Sequence, residues 1–364
     1  MIISKLGIAA TALAVVVVLV AAYAVARTPD DVLGGDLVTL HAAGTAGPEV
    51  NYSLPKGRSA AEVGSDLQQL GVIRSGRQFE LLVSLMGVQD RLSAGDYILQ
   101  KDSSAASVVN QLTVKESVPV LKVTFPEGIR VEEMAVLAEK AGFGSQQQFL
   151  DALKLAVPPA EIAADVPAEG ANPGYRLQGF LFPDTYILPV GSTPGQLVDL
   201  MLKTFVKRFS PELRAAAKTH GLSVLQAVTL ASIVEREAVL EQERPLIASV
   251  FYNRIANNDL LGADPTVQFA VALKPENVAK FGFWKKELTT DDLAINSPYN
   301  TRLLPGLPPG PITNPGLASL EAVANPATTK FYYFVADSKK NDGSHVFAET
   351  FEQHQQNIRQ YGAP

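Results

Sequence analysis

Two glutamates flank an arginine at Glu235, Arg236 and Glu237, directly after a mostly apolar stretch of eleven residues from Val224 to Val234. A soluble helix of that composition is usually buried. A carboxyl at the edge of an apolar core loses solvation of its charged form, so its pKa rises. A glutamate in such a place acts as a general acid near neutral pH. The stretch therefore indicates acid–base chemistry.

Helical spacing places Glu235 on the core-facing stripe, because each helical step back from it meets an apolar residue. The alternative interpretation is a glutamate at a helix end that forms an ion pair with Arg236, Arg244 or Arg254. Glu237 lies three residues after Val234 and four after Ile233, both apolar, and has a similar claim to the acid role. Periodicity alone leaves the choice between the two glutamates open.

The flanking segments predict the elements that hold these residues in place. Ser223 is a good N-cap for the apolar helix, and a further helix is predicted from Arg244 to Asn257. In that second helix, Asn253 and Arg254 are the polar residues that are candidates for lining a cleft. Asp264, which precedes a proline, is typical of an N-cap, although it could equally serve as a cleft carboxylate.

Composition excludes several classes of function. The net charge of −6 over 364 residues argues against nucleic acid as a partner. Cysteine is absent, which excludes disulfides, a thiol nucleophile and cysteine-based metal sites. The four histidines lack metal-binding spacing, so we expect neither a metal ion nor a cofactor.

An uncharged apolar run from Leu6 to Ala26 is long enough to cross a hydrocarbon core of roughly 30 Å. We predict a transmembrane anchor over residues 1–27 and a linker over 28–48. A cleaved signal peptide is the alternative, although its apolar region is usually shorter. The flanking charges favour an amino terminus in the cytoplasm and the bulk of the chain outside.

Residues 49–121 alternate short strands with small amphipathic helices, which predicts a compact α+β module. A Pro-x-Gly turn at Pro55 recurs 71 residues later at Pro126. In both places a glutamate and a glycine follow at matching distances. This pattern predicts one strand–turn–helix unit that is used twice.

Several longer motifs resemble one known family. They are RLQGFLFPDTY at 176–186, ASIVERE at 231–237, ERPLIASVFYNRI at 243–255, GADPT at 262–266, SPYNT at 297–301, GLPPGPI at 306–312 and NPG at 314–316. In this order they resemble the endolytic murein transglycosylases, the MltG or YceG-like family, over about residues 50–360. The motifs are densest from Leu177 to His354.

The resemblance implies an α+β fold with three parts: the membrane helix, a small LysM-like module at 49–121, and a mixed α/β catalytic domain at 122–364. The catalytic domain would have an α+β lead-in at 122–174. The LysM-like module would act as a scaffold or contact glycan. Two positions depart from the family pattern: Gln178 stands where glutamate is common, and Arg302 replaces an aromatic residue.

The resemblance also implies the site residues. Glu235 would be the catalytic acid, with Glu237 and Asp264 as the alternatives if it is not. The candidates for substrate binding are Asn253, Arg254, Asp264, Thr266, Tyr299, Asn300 and Thr301.

The implied activity is endolytic cleavage of peptidoglycan glycan strands that leaves 1,6-anhydro-N-acetylmuramic acid ends. The protein would lie in the bacterial cytoplasmic membrane with its bulk in the periplasm, and peptidoglycan synthases are possible partners. Two alternatives stay open: a water-using muramidase with a pair of carboxylates, and a non-catalytic glycan-binding scaffold of the cell-wall synthesis machinery.

Overall fold

The computed structural model describes residues 47–113, 119–168 and 175–362. Helices and strands are mixed throughout, so the α+β class is confirmed. The chain divides into two compact units: unit 1 contains the residues up to Val120 together with Ile187–Val190, and unit 2 contains the rest. No helix in the described ranges is long and apolar enough to span a membrane. The predicted anchor lies outside those ranges and stays a prediction.

Unit 1 is built on an antiparallel pair of strands, in which Tyr52 stands opposite Tyr97. Apolar residues on alternate strand positions and on one face of each helix form a single core, to which Val63, Phe79 and Val108 contribute fully buried side chains. Its elements are β1 (Glu49–Leu54), α1 (Ala60–Gln69), α2 (Gly76–Leu85), β2 (Gly95–Gln100) and α3 (Ala105–Thr113). The LysM-like assignment remains a prediction.

Unit 2 is mainly helical, and the helix Leu317–Ala324 packs against the helices Pro211–Thr219, Val224–Glu237 and Arg244–Ala256. Its first helices are α4 (Val131–Lys140), α5 (Gln146–Leu155), α6 (Pro194–Arg208) and α7 (Pro211–Thr219). Then follow α8 (Val224–Glu237), α9 (Arg244–Ala256), α10 (Asp264–Val271), α11 (Pro275–Phe281), α12 (Thr290–Leu293) and α13 (Leu317–Ala324). The chain closes with β5 (Tyr333–Ala336), β6 (His345–Ala348) and α14 (Phe351–Tyr361).

Two further two-stranded sheets complete the fold of the described residues. β5 pairs antiparallel with β6, with Phe334 opposite Phe347. β3 (Val120–Thr124) pairs with β4 (Thr185–Pro189) in a separate two-stranded sheet. Residues 187–190 group with unit 1 although they lie some sixty residues beyond its main segment, and no local pattern in the sequence predicts this grouping.

The repeated Pro-x-Gly unit folds alike in its two occurrences, as the sequence predicts. Gly57 and Gly128 both have positive φ, at 86° and 74°, a region that glycine enters without a steric penalty. Glu62 and Glu133 each sit three residues into the following helix and accept the backbone N–H of the capping residue. The local unit is therefore used twice.

One predicted helix is shorter than expected. The pattern from Phe149 to Ala163 predicts a continuous helix, but α5 ends at Leu155. Pro158 and Pro159 follow, and a proline lacks the N–H that would continue the helix and pushes the residue before it towards extended backbone.

Asn314 is the central polar residue of the loop before α13 and is fully buried. Its Oδ1 accepts the N–H groups of Gly179 and Leu181, at 2.8 and 3.2 Å. Its Nδ2 donates to the carbonyl of Ile129, and its backbone exchanges hydrogen bonds with Ile129 and Gly128. One asparagine thus joins three chain segments that converge beside the end of α8.

Gln178, the departure from the family pattern, has a structural role in the same region. Its Oε1 accepts the N–H of Val131 at 3.0 Å, and its Nε2 donates to the carbonyl of Ile312 at 2.7 Å. Both groups of the amide are satisfied inside the protein, and Phe180 and Tyr186 beside it are buried. The motif at 176–186 therefore forms a packed aromatic turn.

We predict that Asn314→Ala lowers the free energy of unfolding of unit 2 by about 2–4 kcal/mol, because two buried N–H groups lose their acceptor. Trp284 is the single tryptophan of the chain and lies in unit 2, so its fluorescence during urea unfolding reports on that unit. The control is Asn325→Ala, an exposed position that should change stability by less than about 0.5 kcal/mol. Equal effects of the two substitutions would contradict the role of Asn314.

Candidate active site

The helix α8 carries the charged triplet at its carboxyl end. Ser223 caps its first turn and Gln226 returns the hydrogen bond, so the predicted start is confirmed. Every residue from Ala227 to Val234 is buried. Its last turn therefore presents Glu235, Arg236 and Glu237 from a rigid, enclosed support.

Glu235 is held by partners on both carboxylate oxygens. Its side chain is only 6% exposed, and Oε1 lies 2.9 Å from Nη2 of Arg244. Oε2 accepts the backbone N–H of Gly316 at 2.9 Å, and Arg244 is anchored in turn by Ser319. Of the two interpretations of Glu235, the structure therefore agrees with the ion pair at a helix end, and its partner is Arg244.

Glu127 in the second Pro-x-Gly turn approaches the same ion pair. Burial raises the pKa of Glu127, the nearby Glu235 raises it further, and Arg244 opposes the shift. Two carboxylates and one guanidinium thus lie at the amino end of α13, where the helix dipole stabilises negative charge. Sequence reasoning missed Glu127, although its place in the repeated turn was a usable signal.

Glu237 has a different environment from Glu235. Burial raises its pKa from the ordinary 4.5 to about 7, and the neighbouring Asp264 adds to the shift. Arg254, Arg302 and Arg236 act in the opposite direction. Within the described part of the chain no hydrogen bond or ion pair engages its carboxyl group. A half-buried, unpaired glutamate that is partly protonated at neutral pH matches the demands on a general acid.

Asp264 is an exposed member of this second cluster and not a helix cap. α10 begins at Asp264, its N-cap is Ala263, and no side chain caps it. The Asp264 carboxylate instead lies 2.6 Å from Arg302. The prediction of an N-cap is wrong because this salt bridge draws the side chain away from the helix. Arg302, whose role the sequence left in doubt, holds a carboxylate near Glu237.

Four of the predicted sugar-binding residues lie in the interior. Thr266 and Thr301 are buried and hydrogen-bonded to each other at 2.9 Å. Asn300 is fully buried and donates to the carbonyls of Leu293 and Ile295. Tyr299 is 2% exposed and packs on Phe269, with ring centroids 4.6 Å apart. These side chains support the loop from within, and that they contact sugar stays a prediction.

The side-chain N–H groups of Asn253 and Arg254 also donate hydrogen bonds to the protein backbone. Asn253 donates to the carbonyls of Thr329 and Phe331. Arg254 donates to the carbonyls of Tyr332 and Leu261, at 2.7 and 2.6 Å. Both residues fasten α9 to the segment that leads into β5. Arg254 nevertheless lies close enough to lower the pKa of Glu237, so it shapes the site electrostatically.

The two grooves described below do not coincide with the glutamates at the end of α8. A groove of about 960 Å³ in unit 2 is lined mainly by α5, the segment after it, and α6. A second one of about 340 Å³ includes Glu241 and Glu321. Neither groove is lined by Glu235 or Glu237. Among the residues described, no group of three histidine or acidic side chains could hold a metal ion.

Known proteins place the chain in a family. A model of the YceG-like family matches residues 52–360. The chain belongs to the YceG-like family. It is 32% identical over 324 residues to a Bacillus subtilis protein named endolytic murein transglycosylase, covering 86% of this chain and 84% of that protein.

Two further relatives agree with this assignment. A Streptococcus pneumoniae protein of the same name is 30% identical and spans 86% of this chain, which covers 58% of that longer protein. A crystal structure of a yceG-like protein from Listeria monocytogenes is similar at a TM-score of 0.54 and 29% identity. The match covers 85% of this chain and 99% of that one.

The environment of Glu237 predicts a pH-dependent stability. Its folded-state pKa of about 7 lies above the ordinary 4.5, so the folded protein holds the proton more tightly than the unfolded chain. The contribution of Glu237 to the free energy of unfolding should therefore fall as the pH rises from about 4.5 to about 7. Glu237→Gln removes this titration, and its stability relative to the wild type should increase over the same window.

The measurement is urea unfolding of both proteins at three pH values across that window, followed by Trp284 fluorescence. Asn325→Ala changes no titratable group and should track the wild type at each pH. A constant difference between Glu237→Gln and the wild type at all three values would show that Glu237 does not titrate in this range.

Proposed function

We propose that this protein is a lytic transglycosylase that cuts peptidoglycan glycan strands internally and leaves 1,6-anhydro-N-acetylmuramic acid ends. Family membership and relatives that are named endolytic murein transglycosylase support the reaction class. The single observation that carries the mechanism is the unpaired Glu237, with its pKa raised to about 7, at the end of a buried helix.

We assign the general acid to Glu237 in preference to Glu235. A general acid must carry a proton at working pH and have it free to give. Both carboxylate oxygens of Glu235 are already engaged, one by Arg244 and the other by the N–H of Gly316. Glu237 has no such partner among the described residues. Glu235 then positions the end of α8 by tying it to α9 and to the loop before α13.

The proposed reaction needs one carboxyl group and neither water nor metal. The protonated Glu237 gives its proton to the glycosidic oxygen, and the bond from that oxygen to C1 of N-acetylmuramic acid breaks. The carboxylate so formed takes the proton of the 6-hydroxyl of the same sugar, whose oxygen bonds to C1. Glu237 gives one proton and takes one back, so it ends the reaction protonated, as it began. The internal nucleophile is already positioned, which supplies much of the rate.

We further propose that residues 1–27 anchor the protein in the bacterial cytoplasmic membrane and that its bulk faces the periplasm. The uncharged run and its flanking charges support this proposal. Such an anchor would keep the enzyme near nascent glycan strands and near peptidoglycan synthases, the proposed partners.

Glu237→Gln should lower the formation of anhydro ends by at least about a hundredfold, because proton transfer of this kind contributes that much or more. Mass spectrometry of products from uncrosslinked glycan strands, after incubation with the full-length protein, measures this loss. Unchanged unfolding by urea would show that the fold is retained.

The matched control is Glu235→Gln, whose amide oxygen can still accept the N–H of Gly316. The hydrogen bond from Arg244 is lost, but we expect activity within about tenfold of the wild type, because Glu235 gives no proton to the substrate in this proposal. Loss of cleavage in Glu235→Gln together with active Glu237→Gln would transfer the acid role to Glu235.

The same products separate the competing functions. A muramidase in which Asp264 assists Glu237 would leave reducing ends, heavier than anhydro ends by one water. The closeness of Asp264 to Glu237 is the observation that favours this second candidate. Binding of strands without any cleavage would support the scaffold function instead.

Activity should also depend on pH in one direction. Only the protonated form of Glu237 can act as the acid, so kcat/KM should fall by about tenfold per pH unit above about 7. Steady-state rates on glycan strands between pH 5 and roughly 9 would measure this limb. A rate that stays level across this limb would contradict the assignment.

A further inference from the structure

Arg236 stands between the two glutamates of α8, and its guanidinium lies over an aromatic ring. Its central carbon is 4.0 Å from the centroid of Trp284. The indole is itself fixed, because its Nε1–H donates to Oε2 of Glu133 at 3.2 Å. The same Glu133 oxygen accepts the N–H of Arg130. Glu133 in the first turn of α4 therefore holds Trp284 in place, and Trp284 in turn supports Arg236.

The guanidinium keeps its hydrogen-bond donors available. Arg236 is exposed, and in the described part of the chain it forms no hydrogen bond and no ion pair. The carboxylates near it have other partners. Glu235 is paired with Arg244, and Glu133 accepts from Trp284 and Arg130. Glu237 carries a proton for part of the time at neutral pH.

An arginine in this state is suited to one class of ligand. A planar guanidinium presents its N–H groups in a fixed fork that fits a carboxylate, and stacking on indole lowers the entropy lost when the ligand binds. The guanidinium lies close enough to Glu237 for their charges to interact, so its ligand would be carried by the sugar being cut.

We propose that Arg236, supported by Trp284, binds a carboxylate carried on the lactyl substituent of N-acetylmuramic acid next to the scissile bond. This inference rests on the proposed function and adds a specificity-determining residue to it. The carboxylate has two sources. It belongs to the stem peptide where the strand bears peptides, or it is the free lactyl carboxylate where the peptide has been removed.

Three preparations of glycan strands distinguish these two sources of the carboxylate. The first bears stem peptides, the second is stripped by an amidase and carries free lactyl carboxylates, and the third is stripped and then capped as neutral lactyl methylamides. Equilibrium dissociation constants are measured with the full-length Glu237→Gln protein, so that cleavage does not interfere. The comparison protein carries Arg236→Gln in addition.

We expect Arg236→Gln to weaken binding by about tenfold on the strand whose carboxylate it contacts, the loss typical of one charged hydrogen bond. Binding of the neutral strand should not change. Weakening on the peptide-bearing strand alone assigns the stem peptide, and weakening on the stripped strand alone assigns the lactyl group. Added salt should reduce the affinity of the parent protein more than that of the Arg236→Gln protein.

Two variants separate binding from packing. Arg208→Gln is the matched control, because Arg208 also lies over a ring, that of Phe182 at 5.6 Å. It should leave all three affinities at the parent values. Trp284→Leu removes the ring below Arg236 and should reproduce part of the selective loss. Arg236→Lys keeps the charge without the fork and should fall between the parent and Arg236→Gln.

Equal weakening on all three strands, or no weakening on any, overturns this inference and leaves the proposed function standing. Failure of the Glu237→Gln protein to bind any strand would overturn the proposed function as well. Anhydro products are also measured for the Arg236→Gln protein in which Glu237 is intact. Their formation tests the reaction itself, separately from the preference for one kind of glycan strand.

Discussion

The structure depends on how the carboxyl end of one buried helix accommodates two glutamates. Charge that is removed from water must be paired or neutralised, and α8 shows the two outcomes two residues apart. Glu235 is paired by Arg244 and by the backbone at Gly316. Glu237 has no pairing partner in the described chain, and its pKa rises to about 7. One helix end thus combines a fixed anchor with a group that can exchange a proton.

The loops around this helix are rigid because their polar groups are satisfied from within. Asn314 and Gln178 connect the second Pro-x-Gly turn, the aromatic turn and the loop before α13. Thr266 and Thr301 do the same for the loop that precedes α10. A proton donor on such a support loses little orientation when substrate binds, which is the condition for efficient transfer.

Local patterns predicted much of this fold. The cap at Ser223, the repeated Pro-x-Gly unit and the helix of residues 244–256 follow from interactions between residues close in the chain. The site was predicted less completely. Tyr299, Asn300 and Thr301 have side chains typical of sugar contacts, yet they are buried, because the direction of a side chain in an irregular loop depends on what packs around it. Glu127 was missed for the same reason.

The sequence by itself determined that a buried helix ends in a Glu-Arg-Glu triplet and that its motifs belong to the YceG-like family. Those properties reside in periodicity, capping and residue order. Only the tertiary structure distinguished the environments of the two glutamates, because those environments are set by residues from other parts of the chain. Arg244 and Gly316 reach Glu235, and Asp264 approaches Glu237. A pKa depends on charges and solvent in three dimensions, which helical spacing does not contain.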